Sequence, residues 1–310
     1  CKHDVVKTKV GPDIVTEYIY DMRDYFKSAC ASFEREAAVK LKAATSPAPP
    51  ALTTAEIIAL VGTDGIHGPS APSYLMKLLY RARVACPWLV VPIQRLASHV
   101  MKWNAECDRR IVRLYDFIDS HGDLVLTGKL SSADEGHLTV HCWPDADLNG
   151  DFMHTKSTGG LHVEIQGLEG RSMPASYCSK THPATSLHTP EAELVTLARN
   201  LRNEMLPVQL LLQEILGTAI NLIVHEDNEA CIKVVQKGYS PSMRCLERTQ
   251  RTSIGVCHET FHEPVPEGYG ENTLIYTSTK LHKGDLMTTY LDGPALGHAL
   301  QLIGVRPFTG

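Results

Sequence analysis

The sequence has no excess of basic charge. Its 310 residues carry a formal net charge of −5 at pH 7, and 21% of them are charged. Proteins that bind nucleic acid through their overall composition are usually strongly basic. Any nucleic-acid binding by this chain must therefore come from a local patch.

The sequence also lacks the signs of a membrane protein and of a disulfide-bonded protein. No run of it approaches the roughly 18 consecutive apolar residues of a membrane-spanning helix. Its nine cysteines, an odd number, include no Cys-x-x-Cys pair, which indicates a reducing compartment. The chain begins at Cys1 without a methionine or a signal peptide, so we expect it to be a fragment of a longer protein.

The most informative stretch of the chain is 141–151, which ends in three closely spaced carboxylates, Asp145, Asp147 and Asp151. Apolar and polar residues alternate ahead of them, as in a half-buried strand. Acids delivered at the end of a strand can hold a hard metal ion. For this stretch alone a polar turn is the simpler interpretation, because Asp, Asn and Gly are also common turn residues.

Three later acids stand at the ends of predicted elements. Glu191 lies in the first turn of a helical pattern that begins at Thr189, Asp227 follows an apolar strand, and Asp285 opens another helical pattern. The chain thus places acids on a strand, at a helix start, at a strand end and at a second helix start. Such an order favours a common site over unrelated surface acids.

This order resembles the ribonuclease H domain of copia-type (Pseudoviridae-like) LTR retrotransposon polyproteins. The shared order and spacing of several short motifs, over about 150 residues, carry the resemblance. The matching motifs are Asp145-Ala146-Asp147, Lys156-Ser157-Thr158-Gly159-Gly160, Ser179-Lys180, Glu191-Ala192-Glu193, Asp227-Asn228 and Thr279-Lys280.

The resemblance extends upstream and implies three regions. Residues 1–50 are similar to the helical end of the polymerase and a linker, 51–132 to a helical connection region, and 137–310 to the ribonuclease H-like domain. The chain contains no Tyr-x-Asp-Asp signature of a polymerase. We therefore expect no polymerase activity from this part of the polyprotein.

The periodicity of the sequence predicts the fold class independently. It favours helices over 13–44 and through much of 73–115, then a switch to strands. The predicted strands are 137–143, 161–166, 172–178, 222–224 and 273–276. The later helices begin at Thr189 with a kink at Pro207, span 229–236, and span 285–302 with a break near Gly293-Pro294. This order predicts an α/β fold: a ribonuclease H-like mixed five-stranded sheet flanked by helices, preceded by a mainly helical N-terminal region.

The resemblance implies a catalytic site that binds metal ions. Two Mg²⁺ ions are expected, for which Mn²⁺ can substitute, because hard cations prefer carboxylate oxygens. Asp145 is expected to bridge both ions. The implied catalytic residues and metal ligands are Asp145, Glu191, Asp227 and Asp285.

Neighbouring acids leave the register of this assignment open. Asp147, Asp151, Glu193 and Glu226 can each replace an assigned acid through a shift of one or two positions. Glu191 also has a purely structural interpretation, because acids are favoured at helix N-termini by the helix dipole.

The resemblance also implies residues that bind the substrate. Lys156, Ser157 and Thr158 match a motif whose lysine and hydroxyl groups suit backbone phosphates and the 2′-OH of RNA. The implied reaction is Mg²⁺-dependent endonucleolytic cleavage of the RNA strand of an RNA–DNA hybrid. A catalytically dead hybrid-binding or structural remnant of such an element is the alternative.

The implied partners are the RNA–DNA hybrid and the rest of the polyprotein, namely polymerase and integrase, with no membrane. The implied location is intracellular, either cytoplasmic in a virus-like particle or nuclear.

A competing motif predicts a different enzyme class. His258-Glu259-Thr260-Phe261-His262 matches the His-Glu-x-x-His of zinc metalloproteases, in which two histidines one helical turn apart bind zinc. Pro264 and Pro266 follow at once and would end the helix. The sequence contains no clear third ligand on a following helix, so this interpretation is the less favoured one.

Overall fold

The structure of the protein is a computed structural model that describes residues 1–150 and 155–308. The chain divides into two compact units. Unit 1 comprises Cys1–Asp4, Ile19–Leu126 and the chain from Tyr290 onward, and unit 2 comprises Val5–Tyr18 and Thr127–Thr289. The domain bounds implied by the resemblance, 1–50, 51–132 and 137–310, stay a prediction.

The elements of the first part of the chain are mainly helical. They are β1 (Lys2–Val10), β2 (Asp13–Asp21), α1 (Arg23–Ala37), α2 (Thr54–Val61), α3 (Ala71–Val84), α4 (Val90–Ser98), α5 (Ala105–Ser120) and β3 (Leu124–Ser131).

The second part alternates strands and helices. Its elements are β4 (Thr139–Asp147), β5 (Thr158–Gln166), β6 (Ser172–Thr181), α6 (Thr189–Asn200), α7 (Leu206–Leu216), β7 (Leu222–Glu226), α8 (Glu229–Lys237), α9 (Leu246–Gln250), α10 (Ile254–His262), β8 (Asn272–Tyr276), α11 (Gly293–Leu302) and β9 (Val305–Pro307).

The helix predicted over 13–44 was wrong at both ends. Its first residues form strand β2, which pairs with β1 across a turn at Gly11, where φ is +60°. The segment Asp13–Asp21 is rich in β-branched and aromatic residues, which fit a pleated strand better than a helix. Helix α1 then ends at Ala37, and Ala38 adopts the left-handed conformation.

Unit 2 is organised around a mixed sheet with the strand order β6-β5-β4-β7-β8. Strands β4, β5 and β6 pair antiparallel, whereas β7 runs parallel to β4 and β8 runs parallel to β7. Antiparallel neighbours need only short turns, while each parallel neighbour requires a crossover, and helices α6, α7 and α8 to α10 provide these connections.

The core of unit 2 lies between one face of this sheet and its helices. Val140 and Cys142 of β4 are fully buried there with Val224 of β7, Leu194 of α6 and Cys257 of α10. Because successive side chains of a strand point to opposite faces, the polar residues between them lie on the other face. The ribonuclease H-like mixed five-stranded sheet flanked by helices, predicted from the sequence, is confirmed by this strand order.

The later helices can be compared with the predictions at two places, the break near Pro207 and the segment 285–302. Pro207 was expected to break the helix that follows Thr189, and a π-helical turn, Leu201–Met205, does separate α6 from α7 there. The helical segment predicted over 285–302 is interrupted near Gly293-Pro294 as expected, because α11 begins at Gly293. Its first part is shorter than predicted, since Asp285–Met287 forms only a 3₁₀ turn.

Candidate metal centre

Strand β4 places Asp145 near its end, opposite Gly160 of β5. A Cβ atom at Gly160 would lie only 2.6 Å from Met287 and 2.7 Å from Thr288. The glycine therefore lets the segment around Asp285 cross close to the sheet. Thr288 Oγ1 donates a hydrogen bond to Asp145 Oδ2 and helps to fix the carboxylate.

Two further acids converge on Asp145 from α6 and the end of β7. Carboxylate oxygens of Asp145, Glu193 and Asp227 all lie within 4.8 Å of one another. Thr279 Oγ1 donates to Asp227 Oδ2 at 2.7 Å, and this bond orients the carboxylate. The three acids form a group that suits a divalent cation.

A second group of ligand atoms shares Asp145. It consists of Asp145, His282 and Asp285, whose nearest ligand atoms also lie within 4.8 Å of one another. The predicted acids Asp145, Asp227 and Asp285 are thus brought together. Asp145 belongs to both groups, and its expected role as a bridge between two ions stays a prediction.

The structure brings Glu193, and not Glu191, into this cluster. Residues two positions apart on a helix point about 200° apart, so only one of the pair can face Asp145. Glu191 Oε2 instead accepts a hydrogen bond from the N–H of Leu187 at 2.9 Å and closes the start of the helix. The structural interpretation of Glu191, stated from the sequence as an alternative, matches this placement.

The other neighbouring acids take different positions. Glu226 is fully buried beside the cluster and accepts a hydrogen bond from the N–H of Asn228 at 3.2 Å. Asp147 belongs to neither ligand group found among the described residues. Asp151 lies outside the described residues.

The carboxylates of the cluster repel one another in a buried setting. Burial, with repulsion from Asp285, raises the pKa of Asp145 to about 6. Burial also raises the pKa of Glu226 to about 8, and burial with repulsion from Glu226 raises the pKa of Glu193 well above its ordinary value. Such shifts mark a site that is short of positive charge.

A buried histidine supplies part of the missing charge. Burial acts to lower the pKa of His282, but the carboxylates of Asp285, Asp145 and Asp227 outweigh it and raise the pKa to about 9. Neither His282 nor the helix acid Glu193 was assigned from the sequence. The sequence offers Glu193 only as an acid that can replace Glu191 through a shift of register. No motif in the sequence indicates a role for His282.

The predicted substrate-binding residues lie beside the cluster, at the start of β5. Ser157 and Thr158 are both buried, and Thr158 is paired on both sides, with Asp147 of β4 and Thr181 of β6. Their hydroxyl groups are therefore not on the surface, contrary to the expectation that they contact the substrate directly. Lys156 is partly exposed, and its role stays a prediction.

An ion-paired anchor holds the segment that carries Asp285. Lys283 Nζ donates to Glu164 Oε2 at 2.6 Å, and His162 Nε2 lies 2.9 Å from Glu164 Oε1. Lys283 also lies over the ring of Trp143, 4.7 Å from its centroid. Burial acts to raise the pKa of Glu164, but His162 and Lys283 lower it to about 2, so the carboxylate stays ionised.

We expect Glu164→Gln to lower stability by about 3 kcal/mol, because it leaves Lys283 in a buried site without its counter-ion. It should also weaken the binding of Mg²⁺ by the acidic cluster, because the Asp285 segment loses its anchor. Thermal melts and Mg²⁺ titrations measure the two effects.

The matched control for this prediction is another buried ion pair of unit 2, Asp134 with Arg171, whose side chains lie 2.8 Å apart. Asp134→Asn should lower stability without changing the affinity for Mg²⁺. An unchanged Mg²⁺ midpoint in Glu164→Gln would contradict the anchoring role.

The zinc motif forms a helix but not a zinc site. Helix α10 ends at His262, as the following prolines predict. His258 Nδ1 is 2.9 Å from the carbonyl of Val235, and neither histidine belongs to a metal-compatible group of three within 1–150 and 155–308. The described residues therefore do not support the zinc-protease interpretation.

Comparisons with known proteins give only a distant likeness. No family model matches the chain, and no curated protein matches it. The chain is similar to the solved structure of RNase H1 from Halobacterium salinarum NRC-1, with 12% identity and a TM-score of 0.31, over 48% of this chain and 94% of that one. It is also similar to LC11-RNase H1, isolated from compost by a metagenomic approach, with 13% identity and a TM-score of 0.31, over 48% and 92%.

The strand order of unit 2, and not these scores, defines the ribonuclease H-like fold. Within the part of the chain that the structure describes, no helix is long and apolar enough to cross a membrane.

Proposed function

We propose that this chain is a ribonuclease H that cleaves the RNA strand of RNA–DNA hybrids with the aid of divalent metal ions. The observation that carries the proposal is the position of Asp145, which belongs to two adjoining groups of metal-compatible side chains.

The residues present fit a bound cation. Glu193 Oε2 and Glu226 Oε2 are buried acceptors with no hydrogen-bond partner among the described residues. Leaving buried polar atoms unpaired is costly, and a cation beside them removes that cost. Oxygen-rich sites of this kind suit Mg²⁺, with Mn²⁺ as a substitute.

Glu193 and Asp227 would hold one ion and Asp285 the other, with Asp145 reaching both. Divalent ions held by these residues would supply the activation of a water molecule and the stabilisation of the leaving oxygen of a phosphodiester. The protein contributes the orientation of these carboxylates, through Thr288 and Thr279, and an anchored Asp285 segment.

Phosphate contacts would come from a small basic depression beside β5. Lys180 and Arg199 line it together with Gly159, Asn200 and Asn203. Gly159 is paired with Ala146, the neighbour of Asp145. Because the net charge of the chain is −5, the attraction for phosphates would come from local basic groups such as this patch and Lys156.

The wider context is also a proposal. The motifs that resemble copia-type elements support a place in a retrotransposon polyprotein, beside a polymerase and an integrase. An intracellular location, in a cytoplasmic virus-like particle or in the nucleus, follows from that context.

The test is cleavage of a labelled RNA–DNA hybrid with Mg²⁺ and with EDTA. We expect cleavage of the RNA strand only with Mg²⁺, its near-complete loss in Glu193→Gln, and little change in Glu191→Gln. The two variants make the same chemical change two residues apart on one helix, so Glu191→Gln is the matched control.

Hybrid binding without cleavage would replace the proposal with the alternative, a catalytically dead hybrid-binding protein. Equal loss in both variants would show that Glu193 has no special role.

A further inference from the structure

His282 occupies an unusual place for a histidine. It is 2% exposed, and its Nδ1 atom has no hydrogen-bond partner among the described residues. His282 belongs to the group that also contains Asp145 and Asp285, and its Nδ1 lies 3.3 Å from Asp285 Oδ1. A buried nitrogen without a hydrogen-bond partner therefore lies beside carboxylates that the proposed function assigns to metal binding.

The other ring nitrogen fixes the orientation of His282. Its Nε2 lies 3.0 Å from the carbonyl oxygen of His225. A carbonyl only accepts, so Nε2 carries the hydrogen and donates it. Histidines that bind metals commonly donate their second nitrogen to a carbonyl or carboxylate in this way, which fixes the ring and increases its basicity.

We propose that Nδ1 of His282 is a metal ligand, together with Asp145 and Asp285, and that this position prefers Mn²⁺ to Mg²⁺. The inference deepens the proposed function and rests on it only in that the acidic cluster holds divalent ions. A metal ion takes the place of the Nδ1 hydrogen, as it does whenever a histidine becomes a ligand.

The chemical composition of the two groups explains the preference. Asp145, Glu193 and Asp227 offer only oxygen atoms, which suit Mg²⁺. The group with His282 offers one imidazole nitrogen and two carboxylates. Imidazole suits transition metals, and Mn²⁺ accepts both carboxylate and nitrogen ligands, whereas Mg²⁺ prefers oxygen. One position of the site would thus differ from the other in the metal that it selects.

The first experiment uses the full chain and Mn²⁺ alone. Electron spin echo spectra of the protein with a single equivalent of Mn²⁺ should show coupling to an imidazole nitrogen. Mn²⁺ bound without nitrogen coupling would overturn the inference, and so would the absence of Mn²⁺ binding.

The second experiment compares His282→Gln with His182→Gln. Glutamine retains a donor for the carbonyl of His225 but removes the ring nitrogen. His182 is the matched control, because it is also 2% exposed in unit 2 but lies against Thr196, 2.9 Å from its hydroxyl.

In calorimetric titrations, His282→Gln should weaken Mn²⁺ binding by at least about tenfold and Mg²⁺ binding by less than about threefold. The nitrogen coupling should disappear in His282→Gln and persist in His182→Gln. Coupling that persists in His282→Gln, or equal losses for both metals, would show that His282 is only a buried counter-ion.

Failure of this inference and failure of the proposed function give different results. Nitrogen coupling without hybrid cleavage would support His282 as a metal ligand and contradict the proposed nuclease activity. Mg²⁺-dependent cleavage without nitrogen coupling would support the nuclease activity and show that His282 is not a ligand.

Discussion

Asp145→Asn should abolish Mg²⁺-dependent hybrid cleavage and, at the same time, make the metal-free protein slightly more stable. Activity should fall by about 10³-fold or more, because metal ions contribute several kcal/mol to the transition state and Asp145 would touch both. Stability should rise, because burial and Asp285 disfavour the ionised form of Asp145, whose pKa is raised to about 6. At pH 8 in EDTA the gain is on the order of 1 kcal/mol, or about 2 °C in Tm.

The same variant should lose the stabilisation that Mg²⁺ gives to the parent protein, since a ligand that binds only the folded state raises Tm by mass action. Asp147→Asn is the control, because Asp147 lies two residues further along β4 and outside both ligand groups found in the described ranges. Thermal melts of the parent protein, Asp145→Asn and Asp147→Asn, each with Mg²⁺ and with EDTA, test both expectations. A lower Tm in EDTA with an intact Mg²⁺ shift would show that Asp145 has a structural role and binds no metal.

The metal-free protein should lose stability steeply as pH rises from about 6.5 to 8.5. The folded-state pKa values of Glu193, Glu226 and His282 are all raised, the last two to about 8 and about 9. A group with a raised pKa binds more protons in the folded state, so its contribution to stability is lost as pH rises through the folded value. Each group contributes up to about 1.4 kcal/mol per pH unit in its window.

Below pH 6.5 the trend should flatten. Burial lowers the pKa values of His141, His182 and His225 to about 4, 4 and 3. These histidines contribute stability that is present above their unfolded pKa of about 6.5 and lost as pH falls. Their effect opposes that of the acids between about pH 4 and 6.5, so the decline is confined to higher pH.

Thermal melts in EDTA across this pH range test the prediction, and Mg²⁺ should raise Tm most at the alkaline end. Glu226→Gln should reduce the slope between pH 6.5 and 8. Glu229→Gln, an exposed change on α8, should leave it unaltered. A stability that rises with pH from 6.5 to 8.5 would show that the acids do not repel one another as the structure indicates.

The central strands β4 and β7 could be predicted because each has a strand-like pattern within its own residues. The alternation before Asp145 and the apolar segment before Asp227 each favour a strand from their own residues, and the structure places both strands side by side. The N-terminal strand β2 was mistaken for a helix because apolar residues such as Ile14 and Tyr18, four positions apart, fit both periods. Pairing with β1, which a single segment does not reveal, decides between them.

The choice between Glu191 and Glu193 depends on the rotation of one helix, and the motif Glu-Ala-Glu does not specify it. Packing of Leu194 and Leu197 into the core fixes that rotation and turns Glu193 inward. The roles of His282, Lys283 and Glu164 arise from contacts between distant parts of the chain. No local sequence pattern predicts such contacts, so the sequence alone did not assign a role to these three residues.

The position of His282 and Asp285 in the chain has a consequence for shortened forms of the protein. Both residues follow β8, the last strand of the five-stranded sheet in chain order. A product that ends after Tyr276 would contain the sequences of all five strands, together with Asp145, Glu193 and Asp227. It would lack His282 and Asp285, and with them the second group of ligand atoms.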